Sequence, residues 1–315
     1  MKKWIIALIV TGSVLTVGGA VVLGLGIAND VANSKIIVHE HEVSEEFHNF
    51  NFDLSVSDLT VKASEDGKNK LVFEETEKYY HEFSVKEDTL YVKSLENYKW
   101  YDFIHMGLGK VKVTLYTAST EFNNGVFVSS TGDINIDKEF NFENLKVIQS
   151  TGDSHVACKV AHNLEMETTT GDQHFDGVSV ENMTLKASTG KVEVKNSEIS
   201  NALTINTSTG NVVLDNVKAN TLSSTCSTGK ASLTNVIISD NMSLKASTGD
   251  VRIVDSDALS VNIETSTGDV NALFLTNKIV FAESKTGDIN VPRLTDGGAC
   301  NIKTSTGDIT VSIKG

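Results

Sequence analysis

The sequence predicts an all-β fold: a single-stranded parallel β-solenoid (a β-helix) of about ten coils of 19–20 residues, with an N-terminal β cap and one transmembrane helix. Three observations carry this. Ser-Thr-Gly-Asp or a near copy recurs ten times, its glycines being Gly132, Gly152, Gly171, Gly190, Gly210, Gly229, Gly249, Gly268, Gly287 and Gly307. Side-chain parity changes at that glycine in copy after copy. Ahead of the first copy, apolar and polar residues alternate with a period of two.

The first element is the anchor, residues 1–28. Trp4 to Ala28 carry no charge and follow Lys2 and Lys3. Such a length crosses ~30 Å of hydrocarbon with some tilt. The paired lysines favour a cytoplasmic N-terminus and an external body. A cleaved signal peptide is the rival, with Gly26-Ile27-Ala28 as its small-residue site, but signal cores run only ~7–15 apolar residues. Residues 29–34 form a linker.

A β-rich cap is expected over residues 35–125. Phe50, Phe52 and Leu54 alternate with Asn51 and Asp53, and Leu59, Val61, Leu90, Val92, Val111, Val113 and Leu115 continue the pattern. Asp66-Gly67 and Glu87-Asp88 supply turns. Tyr98, Trp100, Tyr101 and Phe103 make the most aromatic patch outside the anchor. Filler for the end of a solenoid is the plainer reading; a partner-binding patch is the functional one. His39 and His41 share a strand face, yet no third metal ligand follows at a telling spacing.

The solenoid is expected over residues 126–315. Leu185, Ala187 and Thr189 share one parity, and Val192 and Val194 have the other. Side chains alternate strictly along a strand, so a slip at a fixed place means a corner, and glycine supplies its backbone freedom. Asn196, Asn216, Asn235 and Asp255 mark a second turn. The inner columns read Leu/Ile/Val/Met, then Ala/Thr/Cys, then the Thr before glycine. Cys158, Cys226 and Cys300 fall on inward parity and read as buried free thiols. Ten rungs give a rod of roughly 48 Å, and the crossover rule favours a right-handed coil.

Charge and motifs exclude several activities. The formal charge is −14, and the part beyond the lysine-bearing anchor carries −16. Nucleic acid needs Lys and Arg against its phosphates, so none is expected as a partner. The three Cys have no CxxC spacing, which gives neither a disulfide framework nor a zinc site. Asp follows Gly in seven coils, most simply as turn chemistry; a stacked carboxylate ladder for a cation is the alternative. Ser188-x-x-Lys191, Ser239-Asp240-Asn241 and Lys285-Thr286-Gly287 match the three motifs of penicillin-binding enzymes. Yet each is a copy of the repeat in strand-patterned sequence, where no nucleophilic helix can start. No catalytic, metal or cofactor-binding residue is therefore assigned, and no cofactor is expected.

The repeated Ser-Thr-Gly-Asp-hydrophobic-x-hydrophobic unit, the anchor, and the run Lys110–Thr117 leading into the first repeat resemble the bacterial "putative adhesin" β-strand-repeat family. That resemblance covers about residues 35–315. It implies a membrane-anchored domain of unknown function in a Gram-positive envelope, with some members encoded beside Lia-type envelope-stress systems. It defines no catalytic residue. The expected function is a non-enzymatic, membrane-anchored, extracytoplasmic adhesin or envelope-interaction protein. The alternatives are a regulator of an envelope-stress response acting through protein contacts and, remotely, a hydrolase. The partners expected are the membrane, through the N-terminal helix, and an envelope component or protein. Self-association through the C-terminal rung is also expected, because the sequence stops eight residues after Gly307.

Overall fold

The structure is a computed structural model and describes residues 36–97 and 111–314. The anchor, the linker and the aromatic patch Tyr98, Trp100, Tyr101 and Phe103 lie outside these residues. Among the described residues no helix is long and apolar enough to cross a membrane.

Among the described residues, twenty-four strands form one continuous sheet wound into a parallel solenoid. The middle coils show the construction most fully. Strand β15 (Val192–Thr209) pairs in parallel along its length with β16 (Val212–Thr228). Val192, Val194, Ser197, Ile199, Leu203, Ile205 and Thr207 point into the core, and polar residues alternate outside. Asn196 turns the chain between the first two segments at φ 47°, a left-handed conformation that Asn tolerates better than most residues. Asn216, Asn235 and Asp255 do the same one, two and three coils later.

Gly210 makes the principal corner at φ +151°. A Cβ there would lie 1.8 Å from the carbonyl oxygen of Gly190, one rung earlier. Backbone packs directly on backbone at this edge, so glycine is required by contact as well as by conformation.

The expected parity holds up to this corner and fails at it. The core column before the glycine is Ser129, Gln149, Thr168, Ala187, Thr207, Cys226, Ala246, Thr265 and Thr304. The threonine adjoining the glycine, expected inside, is exposed in all ten coils. The chain begins to turn one residue before the glycine, which swings that side chain out. Each Thr-x-Thr pair is thus one buried and one exposed hydroxyl.

The stack extends into the region expected as a separate cap. Strand β2 (Asn49–Leu54) pairs in parallel with β8 (Glu121–Thr131), the wall of the first glycine-marked coil. Strand β3 (Ser57–Ala63) pairs in parallel with β9 (Ile134–Ile136). Strands β6 (Thr89–Glu96) and β7 (Val111–Thr117) add another rung outside β2 and β3. Two rungs without the glycine signature thus precede the ten that carry it. Strands β4 (Lys70–Glu75) and β5 (Tyr79–Lys86) pair antiparallel with β7 and β6, and β1 (Ile37–Glu42) pairs antiparallel with β4. These close the N-terminal end. The Glu87-Asp88 turn joins β5 to β6 with φ of 47° and 61°, the twist a two-residue hairpin needs.

At the other end, sequence order and spatial order part. Strand β19 (Val251–Thr267) pairs with β23 (Gly298–Thr306), and β21 (Lys278–Thr286) pairs with β23 on its far side. Likewise β24 (Ile309–Ile313) lies between β20 (Val270–Phe274) and β22 (Ile289–Asn290). The last coil in sequence is therefore inserted, and the coil of Gly287 forms the end of the rod. This corrects the expectation that the C-terminal rung is the free edge.

Candidate functional site

Three regions are candidates for functional chemistry, beginning with the Gly-Asp edge. Asp153 N–H donates to Asp133 Oδ1 at 2.8 Å, Asp172 N–H to Asp153 Oδ1 at 2.8 Å, and Lys191 N–H to Asp172 Oδ1 at 2.7 Å. Asp58 Oδ1 begins the series by accepting Asp133 N–H at 2.9 Å. Each carboxylate thus satisfies a corner N–H of the next rung. Among the described residues no group of three or more His, Cys, Asp and Glu is placed to hold a metal. At these corners the Asp carboxylates serve as backbone acceptors from rung to rung.

A second ladder escaped the sequence reading. Asn124, Asn144, Asn163, Asn182 and Asn201 each donate through Nδ2 to the Oδ1 of the Asn one rung before, starting at Asn49, over 2.9–3.4 Å. Its signal was present as Asn at steps of 19 or 20 residues from Asn124 onward.

The second region is a buried polar chain at the N-terminal end. Ser57 Oγ lies 2.7 Å from His81 Nε2, and His81 Nδ1 lies 2.9 Å from Glu75 Oε1. Glu75 Oε2 in turn meets His39 Nδ1 at 2.9 Å. Phe73 stacks on the His81 ring at 5.0 Å. Burial pushes the His81 pKa down, against the opposing pull of the Glu75 hydrogen bond and charge. An imidazole between a hydroxyl and a carboxylate is the order of groups found in serine hydrolases. Here Ser57 is 1% exposed and sits in the stack at the start of β3. The contacts tie β1, β3, β4 and β5 together. No sequence spacing could announce them, because four separate strands bring the residues together.

The third region is the open end. Val280 and Ala282 are only partly buried, although they continue core columns that are closed elsewhere. Outside them, Phe281 is 63% and Ile289 45% exposed. A groove beside them is also lined by Ile279, Val291, Pro292 and Leu294. Among the described residues, strand β21 has a paired neighbour on one side only. The sequence placed the functional end at the aromatic patch; the described residues direct attention to the opposite end.

Comparisons with known proteins agree with this architecture. The profile of the Toastrack DUF4097 family matches residues 47–203 and 197–315. A solved structure named "putative adhesin", from Parabacteroides distasonis, is 12% identical with a TM-score of 0.55. The alignment covers 77% of this chain and 98% of that one. Another from the same organism, named "putative lipid binding protein", is 17% identical with a TM-score of 0.52, over 76% of this chain and 97% of that one. At such identities the likeness concerns the fold alone. No curated protein matches the chain. The two profile matches together span the rod from β2 to its open end, and the chain belongs to the Toastrack DUF4097 family.

Proposed function

We propose that this protein is a non-enzymatic rod, tethered outside the cytoplasmic membrane by residues 1–28, that holds an envelope component or partner protein at its open end. The asymmetry of the two ends carries the reading. Among the described residues, one end is closed by β1, β4 and β5, and the other leaves a nine-residue strand, β21, with one unpaired edge beside exposed Phe281 and Ile289. Such an edge can accept an extended segment by main-chain hydrogen bonding, with the apolar neighbours giving selectivity. The acidic body, at −16 beyond the anchor, keeps the rod soluble and away from anionic lipid headgroups.

The tether is tested by deleting Met1–Ala28. The shortened chain should leave the membrane fraction and keep its β-rich circular dichroism. A deletion product still bound to membranes would overturn the tether. The external placement is tested by adding protease to intact cells, which should degrade the rod.

A further inference from the structure

We propose that Lys278 and Asp257 are a self-modifying pair that joins two coils by an amide bond between their side chains. Lys278 opens β21, the terminal rung, and Asp257 lies in β19, on the other side of the inserted coil. Lys278 Nζ is 2.5 Å from Asp257 Oδ1 and 2.7 Å from Thr276 Oγ1. The lysine side chain is 1% exposed and the aspartate 13%. Phe274, itself fully buried, presents its ring 5.6 Å from the ammonium. Asp257 Oδ1 also accepts the Ala258 N–H at 2.8 Å. Asp257 Oδ2 is buried and has no hydrogen-bond partner.

The rung between the two residues is built thin. Gly298 stands opposite Lys278 in β23, and a Cβ on Gly298 would lie 2.2 Å from the carbonyl oxygen of Leu259. Glycine at this point lets the coils approach closely enough for the lysine to reach past the inserted rung to Asp257.

A buried ion pair loses the hydration of both charges, which its mutual attraction only partly returns. An amide removes both charges. Holding an amine and a carboxyl group in contact replaces a bimolecular encounter by an intramolecular one, with effective molarities of about 10⁵ M or more. Exclusion of water opposes the reverse hydrolysis.

The step balances within the pair. The Lys278 ammonium gives one proton to the carboxylate, and the freed lone pair attacks Asp257 Cγ. A second proton passes from nitrogen to the departing oxygen. The C–O bond breaks, one water leaves, and the amide nitrogen keeps its last hydrogen. Nothing is oxidised or reduced.

Peptide mass spectrometry of the full-length protein, isolated in detergent and denatured before digestion, tests this. Trypsin together with a Glu-specific protease cuts after Arg252, Glu264 and Glu283. The expected product is Ile253–Glu264 joined to Thr265–Glu283, uncut at Lys278 and lighter than the two peptides together by one water. Ring closure within Asp257 would lighten Ile253–Glu264 alone and leave Lys278 cleavable. That result, or two unmodified peptides, would overturn the proposal. Lys278→Arg and Asp257→Ala should each abolish the joined product. Because the decisive measurement is on the unaltered chain, misfolding of either variant leaves the test intact. The proposal does not depend on what the open end binds.

Discussion

Asp153 Oδ1 receives the backbone N–H of Asp172, one rung further along, at 2.8 Å. The same bond made by Asn211 to the Lys230 N–H, at 2.9 Å, shows that the edge needs an acceptor rather than a charge. Asp153→Ala should therefore cost roughly 0.5–1.5 kcal/mol and Asp153→Asn less. Urea midpoints of the two variants measure the difference. Equal losses would mean that the charge itself matters.

Glycine at the corner admits a sharper contrast. Gly210→Ala places a methyl group 1.8 Å from Gly190 O, at φ +151°. Backbone strain and overpacking together should cost about 3 kcal/mol or more. Gly67→Ala is the control: its φ is +70°, but nothing lies within 4 Å of the added carbon. It should cost about 1 kcal/mol. Thermal unfolding of both variants checks the ordering.

The buried imidazole makes stability depend on pH. Burial lowers the His81 pKa in the folded chain, while the unfolded value stays near 6.5. Below about 6.5 the unfolded chain takes up the proton first, so stability falls as pH drops from about 6.5 towards the lowered folded value. Below that value this contribution is flat. His81→Gln should remove this part of the pH dependence. Urea midpoints between pH 7.5 and pH 5, compared between the variant and the unaltered chain, report it; identical slopes would contradict it.

Burial raises the pKa values of Cys158 and Cys300 to about 12. Both thiols should resist a disulfide reagent at pH 8 in the native state and react fully in denaturant. Rapid native labelling of either would show that the coil opens locally.

At the open end, Phe281→Asp should weaken partner capture or self-association without lowering the unfolding temperature, since the side chain is 63% exposed. Sedimentation of the purified protein and photo-crosslinking from position 281 in intact cells read the two outcomes separately. Unchanged behaviour in both would exclude β21 as the contact edge.

The ten glycines at 19–20-residue steps determined the solenoid, and the alternation of Leu185, Ala187, Val192 and Val194 determined which side chains fill it. Both are local signals, because period and parity lie within one coil. The exposure of the corner threonines was not legible, since simple alternation does not say at which residue a chain begins to turn. Nor were the rungs built from β2, β3, β6 and β7, where Ser57-Asp58 packs against Gly132 in place of a Gly-Asp corner. Tertiary structure alone decided the chain Ser57–His81–Glu75–His39, the contact of Lys278 with Asp257, and the insertion of the last coil beneath β21. Each joins residues from different rungs or strands. A repeat fixes the spacing between rungs, but a nearly uniform backbone edge lets one coil pair with another in either order. Packing at the two ends, where the repeat stops, sets which order is taken.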